Sequence, residues 1–175
     1  MPRLPIVAAV LTAVLGCNPP RLAAGPGTGA TPEAAPTASV APTARPQASC
    51  EPTTSRSHVL LGDRKVPVDL AFTLESRTKG LSGRPCLARG TGLVLGWDVP
   101  TPAQIWMPDM NFAIDVVFVR GERVVAVYAD AQPCVRGLPC PTFGPDVPVD
   151  YVLEVPAGSC AEWGLKAGGT IRLVR

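Results

Sequence analysis

Two carboxylates, Asp109 and Asp115, lie six residues apart in the most apolar part of the sequence, residues 104–119. Two carboxyl groups about 5–9 Å apart across an open cleft can hydrolyse a glycosidic bond. A turn at Pro108-Asp109 that leads into a strand permits such a distance without requiring it. An Asp in a Pro-Asp turn commonly bonds its own backbone, so a structural role stays open beside the polysaccharide hydrolase.

Aromatic residues offer a second kind of chemistry. Trp97, Trp106 and Trp163 could form a surface on which a sugar stacks, and Met107 extends the apolar character of Trp106. In a small β domain such residues more often pack in the core or at its rim, and only their exposure separates the two interpretations. Residues 106–110 are therefore a candidate ligand-binding loop.

The cysteines offer disulfide, thiol or metal chemistry. Six are present, and without Cys17, treated below, five remain: Cys50, Cys86, Cys134, Cys140 and Cys160. Outside the cytoplasm these thiols should pair. Five residues separate Cys134 from Cys140, which favours a bridge between them; Cys86 with Cys160 is a second hypothesis, and Cys50 is left over. Metal or thiol handling through Cys134 and Cys140 is the alternative.

Nucleophilic catalysis has little support, because the one histidine, His58, stands at the edge of the folded part. No Gly-rich loop follows a strand and opens a helix, as a phosphate site requires. Without clustered histidines, we expect no metal and no cofactor.

The beginning of the chain is typical of an export signal. Arg3 precedes an apolar run, residues 4–15, that is too short to span a bilayer. The run ends at Gly16-Cys17, which resembles the bacterial lipoprotein signal and implies removal of residues 1–16 and lipidation of Cys17. The chain would then be anchored to a membrane by acyl chains, facing the periplasm or the cell surface. An ordinary secretory signal with an incidental cysteine is the alternative.

Residues 17–57 predict a disordered tether. From residue 18 to 57, 30 of 40 residues are Pro, Ala, Thr, Ser or Gly, with no hydrophobic period. Such a segment cannot bury enough apolar surface to offset the entropy lost on ordering.

The remainder, residues 58–175, predicts one mostly β domain. Apolar and β-branched runs indicate strands at 58–61, 66–72, 91–97, 103–107, 114–119, 123–128, 151–155 and 170–174. Short helices are expected at 74–79, between Thr73 and Gly80, and at 159–163 before Gly164. The expected class is a β-rich α+β fold, a small closed or nearly closed barrel or sandwich with short helices.

Charge argues against one class of partner. The net charge is +2, but from His58 onward 12 Lys and Arg balance 12 Asp and Glu. A neutral domain lacks the basic surface that a phosphate backbone needs, so we expect no nucleic-acid binding.

Several motifs in order resemble one known family. They are Arg77-x-x-Gly80-Leu81-x-x-Arg84, Thr91-Gly92-Leu93, Trp106-Met107, Ile114-Asp115-Val116-Val117-Phe118, Cys134 with Cys140, and the segment 151–158. Together they resemble the domain of unknown function 192, the uncharacterised ACR family, over residues 59–174. Ser82, Leu93-Val94-Leu95, Pro108-Asp109-Met110 and Gly169 depart from the family pattern. The resemblance implies a compact β-rich domain, often secreted, with no established activity.

The same resemblance supplies partners for Asp115. Strand alternation places Asp115 with Val117 and Val119, so its carboxylate should be half-buried and need a partner. Arg77 and Arg84, in the family motif, are the candidates. Either they form an internal ion pair with Asp115, or the three line a pocket in which arginine binds an anionic ligand.

These patterns favour a non-enzymatic accessory protein that binds an envelope ligand or an envelope protein. The candidate ligand-binding residues are Arg77, Arg84, Trp106, Met107, Asp109 and Asp115.

Overall fold

Runs of β-branched residues form most of the strands, and glycines or Pro-rich loops separate them. The computed structural model describes residue 50 and residues 53–134 and 138–175, so the expectations for the signal, Cys17 and most of the tether fall outside the described residues. The elements are β1 His58–Leu61, β2 Arg64–Ala71, α1 Leu74–Lys79, β3 Gly92–Thr101, β4 Ile114–Arg120, β5 Arg123–Ala131, β6 Val149–Pro156, α2 Ser159–Trp163 and β7 Arg172–Val174.

The seven strands form one curled sheet in the order β5-β4-β6-β3-β2-β1-β7. The two hairpins that the sequence predicts, β1–β2 and β4–β5, are confirmed. β2 and β3 are parallel, and α1 belongs to the crossover between them. Residues just before β7 bond back to the start of β5, as from the Val124 N–H to the Gly169 carbonyl at 2.9 Å. The sheet is therefore curled into a half-barrel, with one isolated bridge between its β5 edge and the segment before β7, and the mostly β class is confirmed.

Helix α1 begins and ends where its capping residues predict. The Thr73 hydroxyl accepts from the Ser76 N–H at 3.1 Å, and the Ser76 side chain accepts from the Thr73 N–H at 3.0 Å. Gly80 ends the helix with φ of 48°, a conformation that glycine adopts without a Cβ clash. None of the residues of α1 is buried, and Leu74 is largely exposed, so the helix lies at the surface.

The two faces of the sheet bury different side chains. On β4, Val117 and Val119 pack on one face with Leu153 and Val155 of β6. Ile114, Val116 and Phe118 pack on the other face with Val152 of β6 and Leu93 of β3. Because strand side chains alternate, Asp115 belongs to the first face and Glu154 to the second.

One predicted strand is wrong. Residues 103–107 form a single bridge, in which the Ile105 N–H donates to the Phe143 carbonyl at 2.9 Å. Prolines 102 and 108 flank the segment and donate no N–H, so it runs extended beside the sheet without joining it. The other strands fall near their expected positions, and β3 continues past Trp97 to Thr101.

The disulfides correct one pairing. Cys134 is bonded to Cys140, the pair that their spacing predicts, with Cα atoms 5.3 Å apart. Cys86 is bonded to Cys50 rather than to Cys160, which is buried and free. Cys50 was left unpaired in the prediction because it stands in the expected tether, but its Cα atom lies 5.5 Å from that of Cys86. Along the described ranges, no helix has both the length and the apolar character that crossing a bilayer requires.

Candidate functional site

A pocket of about 270 Å³ lies between α1, the loop after it, and the extended segment 104–110. Its apolar wall includes Leu81, Leu95, Ile105, Met107 and Ile114, and its polar groups are those of Arg77, Thr78, Lys79, Ser82, Gln104 and Glu154. Two tryptophans, Trp97 and Trp106, also line it. The lining is therefore mixed, with polar and apolar surface in similar amounts, and a concave site of this kind is where small ligands bind.

Glu154 is the polar residue that the sheet itself contributes to the pocket. It lies on β6 beside Leu93 of β3 and Val116 of β4, on the face of the sheet where Phe118 packs, and it is only 5% exposed. Its side chain makes no hydrogen bond with any described residue. Burial raises the pKa of Glu154 to about 7, and the positive charge of Arg84 opposes that rise. A ligand that donates a hydrogen bond would therefore meet an acceptor for which none of the described residues competes.

Arg77 lines the pocket but is already engaged by the protein. Its guanidinium donates to the Gly96 carbonyl at 2.8 Å and to the Phe72 carbonyl, and lies 5.3 Å from the ring centroid of Trp97. Gly96 has no side chain because the Phe72 ring would lie about 2.2 Å from a Cβ there. Arg77 thus fastens α1 to β3 and orients Trp97, which makes it a positioning residue for the pocket wall.

The opposite wall, residues 104–110, is held from both sides. The Cys134 N–H donates to the Met107 carbonyl at 2.9 Å, beside the bridge at Ile105. On the other side, the Gly83 N–H donates to the Asp109 carbonyl at 3.0 Å, and the Asn111 amide donates to the Arg84 carbonyl at 2.8 Å. Met107 is buried, while Trp106 is 56% exposed at the pocket's edge. The wall therefore exposes the indole of Trp106 on a backbone that hydrogen bonds hold in position.

Three of the six candidate ligand residues are brought together here: Arg77, Trp106 and Met107. Arg84, Asp109 and Asp115 do not line the pocket. Asp109 is exposed, in a left-handed conformation with φ of 51°. Arg84 pairs with Asp69 at 3.2 Å, and both side chains are partly exposed.

The expected ion pair between Asp115 and Arg77 or Arg84 is wrong. Asp115 is 0% exposed, and its two carboxylate oxygens accept from the backbone N–H groups of Asp130 at 2.9 Å and Cys160 at 2.8 Å. Both arginines lie on the opposite side of the sheet from this carboxylate, where α1 and the pocket are. Backbone donors replace the arginines because β4 lies between β5, which supplies the Asp130 N–H, and β6, which leads into α2 and its Cys160 N–H.

This arrangement also removes the basis of the hydrolase alternative. Asp115 is sealed under α2, whereas Asp109 is exposed on a loop, so the two carboxyl groups share no cleft. The Cys160 thiol lies beside Asp115, and its pKa is raised to about 12 by burial and then by that carboxylate. A thiol held protonated in this way is inert as a nucleophile.

Metal handling gains no site from the part of the chain that the structure describes. In that part, no three His, Cys, Asp or Glu residues are grouped closely enough to hold an ion. Cys134 and Cys140 are joined to each other, so their thiolates cannot serve as ligands.

Glu154 is the site residue that the sequence interpretation missed. β6 reads Val-Asp-Tyr-Val-Leu-Glu-Val-Pro, and Glu154 is the one charged residue among its buried positions. A single carboxyl among the inward, apolar positions of a strand is a detectable signal, because buried charges are rare without a partner.

Comparison with known proteins agrees with the fold. Residues 57–173 match the sequence model of DUF192, described as an uncharacterised ACR family. No curated protein matches the chain.

Two solved structures are similar. One is from Sinorhizobium meliloti, a protein proposed to be a transcription regulator: TM-score 0.58, 21% identity, covering 67% of this chain and 91% of that one. The other, from Novosphingobium aromaticivorans, is of unknown function: TM-score 0.57, 24% identity, covering 71% and 93%. At these identities the likeness shows the shared fold.

Proposed function

The chain belongs to the DUF192 family, and from that premise we propose that it is a lipid-anchored, extracytoplasmic protein that binds a small envelope ligand without transforming it. The observation that carries the binding role is Glu154, a buried carboxyl that lines the pocket and has no hydrogen-bond partner among the described residues. A group of this kind costs stability unless something else uses it, so ligand binding gives its burial a purpose.

The rest of the pocket supports binding over catalysis. Trp106 is exposed on a backbone that hydrogen bonds hold from two sides, which is the preorganisation that recognition needs. Glu154 has no second carboxyl beside it among the residues lining the pocket, so the acid–base pair of a glycosidase is missing from this described lining.

Screening the purified full chain against a soluble fragment library by saturation-transfer NMR tests the binding role. We expect fragments that bind the native chain and lose their signal in the Trp106→Ala variant. Val99→Ala, which removes an exposed apolar side chain outside the pocket, is the control and should keep the signal. Fragment binding that Trp106→Ala leaves intact would place any site elsewhere and contradict the proposal.

The anchor rests on Cys17 and the apolar run before it. Metabolic labelling with palmitate should label the chain and should fail to label the Cys17→Ser variant. Fractionation should place the native chain with the envelope membranes. An unlabelled chain recovered from the cytosol would contradict both the anchor and the location.

A further inference from the structure

We infer that the pocket binds a neutral sugar unit, which stacks its C–H face on Trp106 and donates a hydroxyl hydrogen bond to Glu154; this inference rests on the proposed binding function. The size of the site agrees with a single ring. Its volume of about 270 Å³ lies just below the roughly 300–1,000 Å³ of pockets that hold drug-sized ligands.

The arrangement of apolar and polar groups in the pocket also agrees with a sugar. Trp106 offers a flat apolar surface that is 56% exposed, while the apolar wall behind it includes Leu81 and Ile105. Glu154 accepts from the sheet side, and Gln104 and Ser82 add side-chain amide and hydroxyl groups. A sugar ring has the complementary arrangement of an apolar C–H face and a rim of hydroxyl donors and acceptors.

Charge argues against ionic ligands. Two cations, Arg77 and Lys79, line the pocket with the one carboxyl of Glu154, and Arg84 acts on that carboxyl from nearby. An ammonium ligand would be repelled by these cations, which like-charge placement makes unfavourable. An anion would meet Glu154, and the Arg77 guanidinium already donates to two backbone carbonyls. A neutral ligand avoids both conflicts.

Titration calorimetry of the purified full chain, with methyl glycosides of neutral hexoses and of N-acetylhexosamines as probes, tests this inference. Tetramethylammonium and acetate serve as the charged comparison probes. We expect a glycoside to bind, and Trp106→Ala to raise its Kd about fivefold or more because a stacking surface is lost. Val99→Ala should leave that Kd unchanged.

Glu154→Gln gives a signature that a merely structural role would not produce. At pH 8 a charge-assisted hydrogen bond is lost, so the Kd should rise about fivefold. At pH 6, where Glu154 itself is mostly protonated, the native chain and the variant should differ less. Thermal melts at both pH values show that each protein is folded during the titration.

The outcomes separate the inference from the function beneath it. Tighter binding of tetramethylammonium or acetate than of any glycoside, with the same dependence on Trp106 and Glu154, overturns the sugar and keeps the binding function. Fragment hits at the pocket without any glycoside binding do the same. Absence of any probe or fragment whose binding depends on Trp106 overturns both.

Discussion

Two buried carboxyl groups lie on adjacent strands of the same sheet, and the protein treats them in opposite ways. Asp115 of β4 faces α2 and accepts two backbone hydrogen bonds. Glu154 of β6, one residue pair away in register, faces the pocket and accepts none from the described residues. Burial is nearly complete for both, so the difference lies in what each face of the sheet supplies.

The difference separates a structural acid from a candidate functional one. Asp115 ties the end of β5 to the beginning of α2 on a buried, apolar face of the sheet, where a satisfied carboxylate stabilises the fold. Burial raises the pKa of Glu154 to about 7, and the positive charge of Arg84 lowers it only in part. Perturbed and unsatisfied groups of this type concentrate at binding and catalytic sites.

Removing the Asp115 carboxylate should have the largest effect. Asp115→Ala leaves the buried Cys160 N–H and the Asp130 N–H without their acceptor, so the free energy of unfolding should fall by about 3 kcal/mol. Guanidinium unfolding with the disulfides intact, followed by Trp fluorescence, measures it. Asp98→Ala, at an exposed aspartate, is the matched control; a loss as small as the control's would show that Asp115 is dispensable.

The Glu154 carboxyl should make stability depend on pH. Its pKa is about 7 when folded, above the ordinary 4.5, so the folded state holds a proton that the unfolded state releases between these values. The resulting stability is present at pH 4 and is lost as pH rises through 7, by up to about 3 kcal/mol.

Unfolding titrations at pH 5 and pH 8 check this dependence. Glu154→Gln should remove most of the loss between the two values, because glutamine does not titrate. Glu122→Gln, at an exposed glutamate, should retain it. If the native chain is equally stable at both pH values, the raised pKa of Glu154 in the folded state is contradicted.

Arg84 should have the smallest effect on stability and a visible effect on Glu154. The Arg84–Asp69 pair is partly exposed, so Arg84→Gln should change the free energy of unfolding by less than about 1 kcal/mol. Because the arginine lowers the pKa of Glu154, its removal should move the titration of that carboxyl to higher pH. NMR of the labelled glutamate carboxyl carbon measures the shift, and an unchanged midpoint would contradict the coupling.

Features that depend on residues close together in the chain could be predicted from the sequence. Thr73, Ser76 and Gly80 specify where α1 begins and ends, because capping hydrogen bonds and a positive φ depend on residues within a few positions. The turn at Gly62-Asp63 and that at Gly121 likewise define their hairpins. The strand predicted at 103–107 was wrong. Its alternating apolar residues suit a strand, but the flanking prolines donate no N–H and the segment forms only an isolated bridge.

The sequence predicted only part of the candidate site. Trp106 and Met107 were predicted as ligand-binding residues because of their residue types, and both line the pocket. Arg84 and Asp109 fall outside that lining, and the partner of Asp115 is a pair of backbone N–H groups that no side-chain inventory can reveal. Cys50 is bonded to Cys86, although it stands in the segment that the sequence predicts to be a disordered tether.

The sequence by itself determined the β class, the short helices, the hairpins and the face that each strand residue occupies, because these follow from period, capping and turn chemistry within one segment. Only the tertiary structure decided which buried acid is satisfied. That depends on the order of strands in the sheet, which places backbone donors of β5 and α2 over Asp115 and leaves Glu154 facing a pocket. Non-local contacts of this kind bring together groups whose separation along the chain carries no signal.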